Sequence, residues 1–565
     1  MYLVIQKTTS YLQIILNLLF LISKNSKHFS LSHRPMFNCF YNNIQALIKI
    51  HPNLVLSLQS SKTPAFPFRK SVHFPEQMEI QYQGVWVPWS YSTDITLPKK
   101  KGYLLLGAGC GSWCLKILQS TNAKIVVWDE NLSRIKSFLE NCDISSYIEK
   151  GRCKIIFGTE ILLYKKSIHT IDYDIVPMLS TENSYYLKWF LEKEHRDVYL
   201  VGDGGLYVED VCTFILSQGH APLKISLEQW QLQFAIKWKP KAIITINFVE
   251  GLELFCEQHK IPYICWEIDP NMDAMDIFPT QKLVYQYTYI FTYRKKHLSF
   301  YRRRGIQTEY LPLASPIYRQ ETVSQKNYEQ NLVFVGSSMY KQGNESLIKL
   351  QSLLQQKLPL LQVQSIIQNA IQYQQRYPDT YVLDDFFHKN LPLHTTWFPE
   401  YNIPMLVGEY CASQRRLEYC RLIAPFGLDI WGDSGWQEIQ GCGANIRGEV
   451  GYFRQINQVY SSGSIHLDIN RLYQNDMITL RVFEVLACGG FILAEYSDAL
   501  KELFELGTDI ETWKNKEELI DKIKFYLNNP TSRDTIRRRG QNIVLQKHRF
   551  SQKMHYIFQQ SKVHI

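Results

Sequence analysis

Two carboxylates eight positions apart, Asp476 and Glu484, mark the stretch Asp476-Met-Ile-Thr-Leu-Arg-Val-Phe-Glu-Val-Leu-Ala-Cys-Gly-Gly490, which an apolar run at 491–494 follows. The pattern reads as a loop, a helix stopped by Gly489 and Gly490, and a buried strand. A helix N-terminus carries unpaired N–H groups and a partial positive charge, so it can hold a diphosphate. An acid about one turn further in, Glu484, can accept hydrogen bonds from a ribose diol. Arg481 can grip phosphate oxygens with two parallel N–H groups, or it can pair with Glu484 along the same helix. The same spacing also fits an amphipathic helix closed by glycines, with Glu484 solvated.

Composition bounds the scaffold that must hold these groups. At roughly 150 residues per domain, 565 residues predict three or four domains. A chain that is 45% hydrophobic and 20% charged folds into globular domains. The net charge of +9, from 62 basic against 53 acidic side chains, suits a diphosphate-bearing substrate. Its densest basic runs, 302–304 and 537–539, read as solvated helix faces, so no nucleic-acid partner is expected. Twelve cysteines without a Cys-x-x-Cys pair or zinc spacing predict reduced thiols, a cytoplasmic protein and no structural metal. The apolar run 11–22, broken by Gln13 and Asn17, is short of the ~20 residues a spanning helix needs. It lacks a signal-peptide pattern too, so no stable membrane insertion is expected. Met36 is an alternative translation start to Met1.

Four segments follow from the patterning. Residues 1–100 form an N-terminal extension with a helix at 38–50 and a Pro- and aromatic-rich stretch at 64–98. Residues 101–190 read as strand, Gly107-Ala-Gly-Cys-Gly111 turn, helix, strand and Asp129-Glu130, the order of a Rossmann βαβ layer with an acid where a ribose could lie. In 195–322, strands alternate with helices, which implies a parallel sheet covered on both faces. The segment 328–565 resumes the alternation, interrupted by a Gln-rich helical insertion at 345–410.

Ligands bind beyond the carboxyl ends of strands in such sheets. In the last segment this nominates Gly336 and Ser337, then Gly432 to Trp436, then Asp468 and Asn470, with Asp476, Arg481, Glu484 and Gly489 in the opening stretch. In the preceding segment, Gly202 and Gly204 offer a backbone cradle for a second substrate (an acceptor) or for the junction of a sugar with the diphosphate. Asp269 is the candidate acceptor-activating base and alternates with Glu267, so only one of the two faces the cleft side. Asp269-Pro270 as a simple turn is the other reading. His466, within a strand, reads as a core residue.

The run Arg481-x-x-Glu484-x-x-Ala487-Cys488-Gly489-Gly490 resembles the C-terminal signature of CgeB-like (spore-maturation-protein-like) glycosyltransferases. The resemblance extends through His466-Leu-Asp-Ile-Asn470, Leu500-Lys-Glu-Leu-Phe504, Glu517-Glu-Leu-Ile-Asp-Lys522 and Arg537-Arg-Arg-Gly540, about the last hundred residues in order. Trp266-Glu-Ile-Asp-Pro270 and Tyr310-Leu-Pro-Leu-Ala-Ser-Pro316 resemble the N-terminal lobe of the same family. Gly432-Asp-Ser-Gly-Trp436 resembles its Gly-x-Gly-Trp turn, one residue longer.

This resemblance implies a GT-B architecture of two Rossmann-like lobes facing a cleft, preceded by an extra Rossmann-like segment. It also implies a nucleotide sugar in the C-terminal lobe, with Glu484 at the ribose, no cofactor and no metal. The extra N-terminal third, in turn, suggests a large acceptor: a saccharide or protein hydroxyl on a bacterial polysaccharide or surface protein. Asp476 stands where many retaining enzymes carry a glutamate; its shorter side chain leaves a catalytic role and a helix cap both open. Two alternatives remain. Residues 102–160 resemble the nucleotide-binding start of S-adenosylmethionine methyltransferases, although no catalytic methyltransferase motif follows. The chain could also be a non-catalytic nucleotide-sugar-binding scaffold.

Overall fold

A computed structural model describes residues 34–60, 68–70, 78–82, 85–88, 102–108, 111–164, 173–177, 197–202, 204–236, 239–269, 285–320, 330–399, 401–451, 455–474 and 476–565. The apolar run 11–22, Gly109 of the glycine turn, Asp203 and Pro270 lie outside these residues. The chain forms two compact units. One comprises 1–195 with 223–238; the other comprises 196–222 with 239–565.

In the first unit, β1 (Phe68–Lys70), β2 (Met78–Tyr82) and β3 (Val85–Pro88) form an antiparallel sheet. The strands β4 (Gly102–Leu106), β5 (Lys124–Asp129), β6 (Cys153–Phe157) and β7 (Tyr173–Pro177) form a parallel sheet in the order β6-β5-β4-β7. That order places successive strands on both sides of the first, as in a Rossmann half. Leu105, Val127, Phe138 and Ile155 fill its core with Leu47 and Leu54 of the helices Arg34–Ile48 and Pro52–Ser60. Asn43 pins the first of these helices by donating to the Leu139 carbonyl at 2.9 Å and accepting from the Ile144 amide at 2.9 Å. Asp129, the acid placed where a ribose could lie, is buried. It accepts from the amides of Ala108 and Asn131 and from Arg134 Nε, all at 2.9 Å. Its carboxylate therefore organises its own turn.

The second unit holds two successive doubly wound sheets, as the alternation of strands and helices predicts. The first contains β8 (Val198–Gly202), β9 (Ala221–Ile225, on which the chain leaves the unit), β10 (Ala242–Ile246), β11 (Tyr263–Glu267), β12 (Thr288–Thr292) and β13 (Gln307–Tyr310). From β8 through β10, β11 and β12 to β13 every pairing is parallel. The strands β8, β10 and β11 are buried along their whole length. That is why they read as unbroken apolar runs and not as alternation.

The second sheet comprises β14 (Gln330–Val335), β15 (Leu428–Trp431), β16 (Asn445–Gly448), β17 (Gly463–Leu467), β18 (Ile492–Glu495) and β19 (Glu511–Trp513). They run in the order β16-β15-β14-β17-β18-β19, all parallel. Between β14 and β15 the helices Tyr340–Leu354, Leu360–Arg376 and Leu383–Asn390 pack on the long helix Ile403–Ile423. Their private core includes Leu350, Val363, Phe387, Ile403 and Val407. Each such side chain contributes about 1.5–3 kcal/mol on burial, enough for the insertion to hold a fixed shape. Gly343 allows the closest crossing: a Cβ there would lie 3.0 Å from the Tyr410 Cα.

Candidate active site

In the sheet β16-β15-β14-β17-β18-β19 the strand order reverses between β14 and β17, so their carboxyl ends open a crevice. Gly336 and Ser337 leave β14 there, Gly432 to Trp436 leave β15, and Asp468 to Asn470 leave β17. These loops interlock. Trp436 Nε1 donates to the Gly336 carbonyl at 2.9 Å. A Cβ on Gly432 would stand 2.1 Å from that same oxygen, and one on Gly336 would stand 2.5 Å from Arg481 Nη2. Asp433 joins the two loops by accepting from the Ser338 amide and the Gly435 amide, each at 2.9 Å, and from the Ser337 hydroxyl at 2.5 Å. Partial burial opposes ionisation of Asp433, but the hydrogen bonds from Ser337, Ser338 and Gly435 prevail and hold its carboxyl below the usual range.

Two arginines line this crevice. Arg481, in the first turn of the helix Leu480–Ala487, donates to the Val335 carbonyl at 2.7 Å, ion-pairs with Asp468 and lies 4.8 Å from the Phe334 ring centroid. Its partner is thus Asp468 and not Glu484. Arg416, buried on the helix Ile403–Ile423, donates to the carbonyls of Ser337 at 2.7 Å and Ile469 at 2.8 Å. Burial first, then repulsion from Arg481 and Arg471, pushes its guanidinium down to about 10. Arg471, whose charge reaches Arg416, turns to the Tyr473 hydroxyl at 3.2 Å and to Glu409 at 4.0 Å. Asn470 is buried; its amide donates to Glu495 at 2.8 Å, and its side-chain oxygen accepts no hydrogen bond among the described residues. That oxygen is a buried acceptor left open at the carboxyl end of β17.

Gly489 and Gly490 close the signature helix, their amides donating to Leu486 and Val485 at 2.9 Å, with Gly489 left-handed at φ 69°. Glu484 is buried on this helix. Its Oε1 accepts from Arg319 Nε at 3.2 Å and its Oε2 from the Tyr460 hydroxyl at 3.2 Å. Arg319 is itself fully buried, in the linker turn Ile317–Gln320, and donates to Asn457 at 2.9 Å. The neighbouring Asp210 accepts from the Ile317 amide at 2.7 Å. Burial pushes its carboxyl up to about 7, against that hydrogen bond and the Arg319 charge, with Glu484 adding to the rise.

Asp476 does not cap the helix. Thr479 occupies the N-cap, its hydroxyl donating to Asp468 at 2.9 Å. Asp476 instead crosses to the first lobe, where Arg294, just beyond β12, donates to its Oδ1 from Nε at 3.0 Å and Nη2 at 2.6 Å. Asp269 is exposed at the end of β11 and accepts from Asn247 Nδ2 at 2.9 Å. Glu267, the last residue of β11, turns inward to Tyr301 and His297; residues two apart share a strand face, so it is the end of β11 at Glu267, and not alternation, that separates the two acids. Gly202 ends β8, and the exposed Gly204, at φ 108°, continues its loop at the point where this first sheet reverses direction between β8 and β10.

The structure therefore gathers Gly336, Ser337, Gly432, Trp436, Asn470 and Arg481 at one crevice. Glu484 lies further along the signature helix, turned to Arg319. Asp269, Gly202 and Gly204 stand on the opposing lobe. Sequence reasoning missed Arg294, Arg319 and Arg416. The one signal for any of them is Arg415-Arg416 inside an otherwise half-apolar helix. Arg537, expected on a solvated face, is buried and donates to Asp534 at 2.6 Å, whereas Arg538 and Arg539 are exposed. His466 is buried, with Tyr460 edge-on at 5.8 Å. Among the described residues no group of three His, Cys, Asp or Glu side chains could hold a metal ion, and no helix is long and apolar enough to cross a membrane.

Residues 415–559 match the profile of a family described as glycosyl transferase-like. No curated protein matches the chain. Among solved structures, sucrose-phosphate synthase from Thermosynechococcus elongatus is similar at 10% identity and a TM-score of 0.41, over 65% of this chain and 99% of that one. A glycosyltransferase from Rickettsia africae is similar at 12% identity and a TM-score of 0.34, over 65% and 99%. Anabaena HepE in complex with UDP is similar at 11% identity and a TM-score of 0.36, over 64% and 100%. Residues 415–559 thus match a glycosyl transferase-like family, and the second unit that contains them is built from two successive doubly wound parallel sheets.

Proposed function

We propose that the protein transfers a glycosyl group from a nucleotide sugar to an acceptor hydroxyl. The observation that carries this reading is the crevice at β14 and β17, where glycine-narrowed loops and the open Asn470 carbonyl meet Arg416 and Arg481; all but its β14 side falls in 415–559, the region that matches the glycosyl transferase-like family. The backbone of Gly336 and Ser337, with Gly432 and Trp436 behind it, would take the diphosphate, and Arg481 would neutralise it as it leaves. Glu484 would accept the ribose hydroxyls, sharing its carboxylate with Arg319. On this scheme the bond from the anomeric carbon to the diphosphate oxygen breaks, a bond to the acceptor oxygen forms, and Asp269 takes the acceptor proton. Asp476, held by Arg294, would face the sugar and not act on it directly.

The finer reading is a CgeB-like, metal-independent bacterial enzyme of the cytoplasm that glycosylates a polysaccharide or surface protein. The domain limits set out from the sequence serve as the working boundaries. The test is a panel of nucleoside diphosphates and nucleotide sugars with uracil, guanine, adenine, thymine and cytosine bases. Binding is read by calorimetry and donor hydrolysis by nucleotide release, with and without EDTA. Tight binding of one base, with hydrolysis unaffected by EDTA, is expected; a chain that binds none of them is not a glycosyltransferase.

A further inference from the structure

A second cavity, of about 290 Å³, opens where three parts of the second unit meet. Arg294 and Lys296 reach it from the first lobe, and Tyr473 and Asp476 from the loop that follows Asn470. The helical insertion closes the remaining side with Tyr381, Asp384, Asn402 and Met405. The volume is at the small end of ligand pockets, which run to about 300–1,000 Å³. It fits a sugar ring with its linkage.

The lining also limits the occupant. Its two cations are balanced by two carboxylates, and the Arg294–Asp476 pair is already closed at 2.6 Å. Such a wall has no surplus charge with which to hold a phosphate or a carboxylate. It does present side-chain donors and acceptors of both kinds beside two tyrosine rings, set edge to face at 6.2 Å. Aromatic faces with mixed polar groups are what a neutral polyol requires, since each sugar hydroxyl both donates and accepts while the ring C–H groups pack on an apolar face.

We propose that this cavity is a saccharide subsite that holds the sugar acceptor, with the insertion as its specificity-determining wall. The word acceptor rests on the glycosyltransferase reading; saccharide binding itself does not. The insertion is held rigid by its own core, and Asn402 caps its long helix by accepting from the Met405 amide at 3.1 Å, so the wall is preformed.

The experiment uses the full chain and a panel of methyl α- and β-glycosides of glucose, galactose, mannose and N-acetylglucosamine, with binding read by saturation-transfer NMR. At least one glycoside should bind. Its Kd should rise tenfold or more in Asp384→Arg and in Met405→Trp, the second filling the cavity without changing charge. The exposed neighbour Asp385→Arg, outside the lining, should leave binding as it is. Hydrogen exchange over 383–423 reports whether each variant keeps its fold. If no glycoside binds, or if neither folded cavity variant weakens binding, the subsite does not exist. Glycoside binding in a chain that binds no nucleotide sinks the glycosyltransferase reading and leaves the subsite standing; nucleotide binding without glycoside binding does the reverse.

Discussion

Replacing Glu484 by alanine separates two roles that this side chain combines. The carboxylate lies at 4% exposure against an arginine at 0%, so the substitution leaves the Arg319 guanidinium buried with Asn457 and no neighbouring counter-charge from the signature helix. Breaking one side of a buried ion pair costs about 3–5 kcal/mol, chiefly because the surviving charge stays desolvated. The chain has two compact units, so one optical transition would mix them; peptide-resolved hydrogen exchange of 480–490 reads the local cost. A loss of 3 kcal/mol raises the exchange rate of protected amides there by about 150-fold. The double variant Glu484→Leu with Arg319→Met removes both charges and fills the space, and it should recover most of that protection. Nucleotide binding should not recover, because the ribose acid is still missing. Protection within 0.5 kcal/mol (roughly twofold) of wild type in Glu484→Ala would refute the ion-pair argument. Wild-type nucleotide affinity in the double variant would refute the ribose assignment.

Three further outcomes follow from the same geometry. Gly432→Ala pushes a methyl group into the Gly336 carbonyl and should break the Trp436 hydrogen bond, costing about 1–3 kcal/mol and weakening nucleotide binding at least tenfold by calorimetry. Asp433→Ala frees Ser337 and Ser338 and should weaken nucleotide binding severalfold, near the ~1 kcal/mol of a lost hydrogen bond. Because the folded Asp433 carboxyl sits below its ordinary 3.8, its stabilisation is present above that value and is lost as the pH falls through the folded value. Asp210 has the opposite sign. Its carboxyl is raised from 3.8 to about 7, so protonation stabilises the fold fully below about pH 4 and this contribution is lost as the pH rises to about 7, at up to about 1.4 kcal/mol per pH unit. Denaturation profiles from pH 5 to 8 should therefore flatten in Asp210→Asn, and an unchanged slope would discount the burial argument.

Much of the architecture was legible because parallel strands buried on both faces leave unbroken apolar runs between helical periods. The helices Ser112–Ser120 and Lys295–Arg303 and the strand Leu428–Trp431 fall where glycine, charge and periodicity put them. The strands Tyr173–Pro177, Asn445–Gly448 and Glu511–Trp513 were not legible. Each is short and stands at the edge of its sheet, where one neighbour suffices and the hydrophobic pattern weakens. The site divides in the same way. Gly336, Gly432 and Arg481 follow from their places after strands or at a helix start. Arg294 and Arg319 reach Asp476 and Glu484 across 182 and 165 residues, and no local spacing encodes such a meeting.

The segment 223–238 belongs to the first unit although it is encoded within the second. Gln231 on the helix Gln229–Ile236 accepts from the Thr159 amide at 2.8 Å and donates to the Phe157 carbonyl at 3.1 Å, while Leu232 and Ala235 are buried. On the ribosome, then, the first unit cannot finish until residue 238 has emerged, and by that time β8, the helix Val208–Ser217 and β9 have been synthesised without β10, the strand that pairs with β8 on its other side. Assembly is obligatorily interleaved, with an early strand of the later unit waiting on the completion of the earlier one. A truncation that begins at 196 would keep 223–225 in β9 but leave the helix Gln229–Ile236 without the surface it packs on, so isolating the two doubly wound lobes calls for replacing 229–236 with a polar linker as well as moving the start.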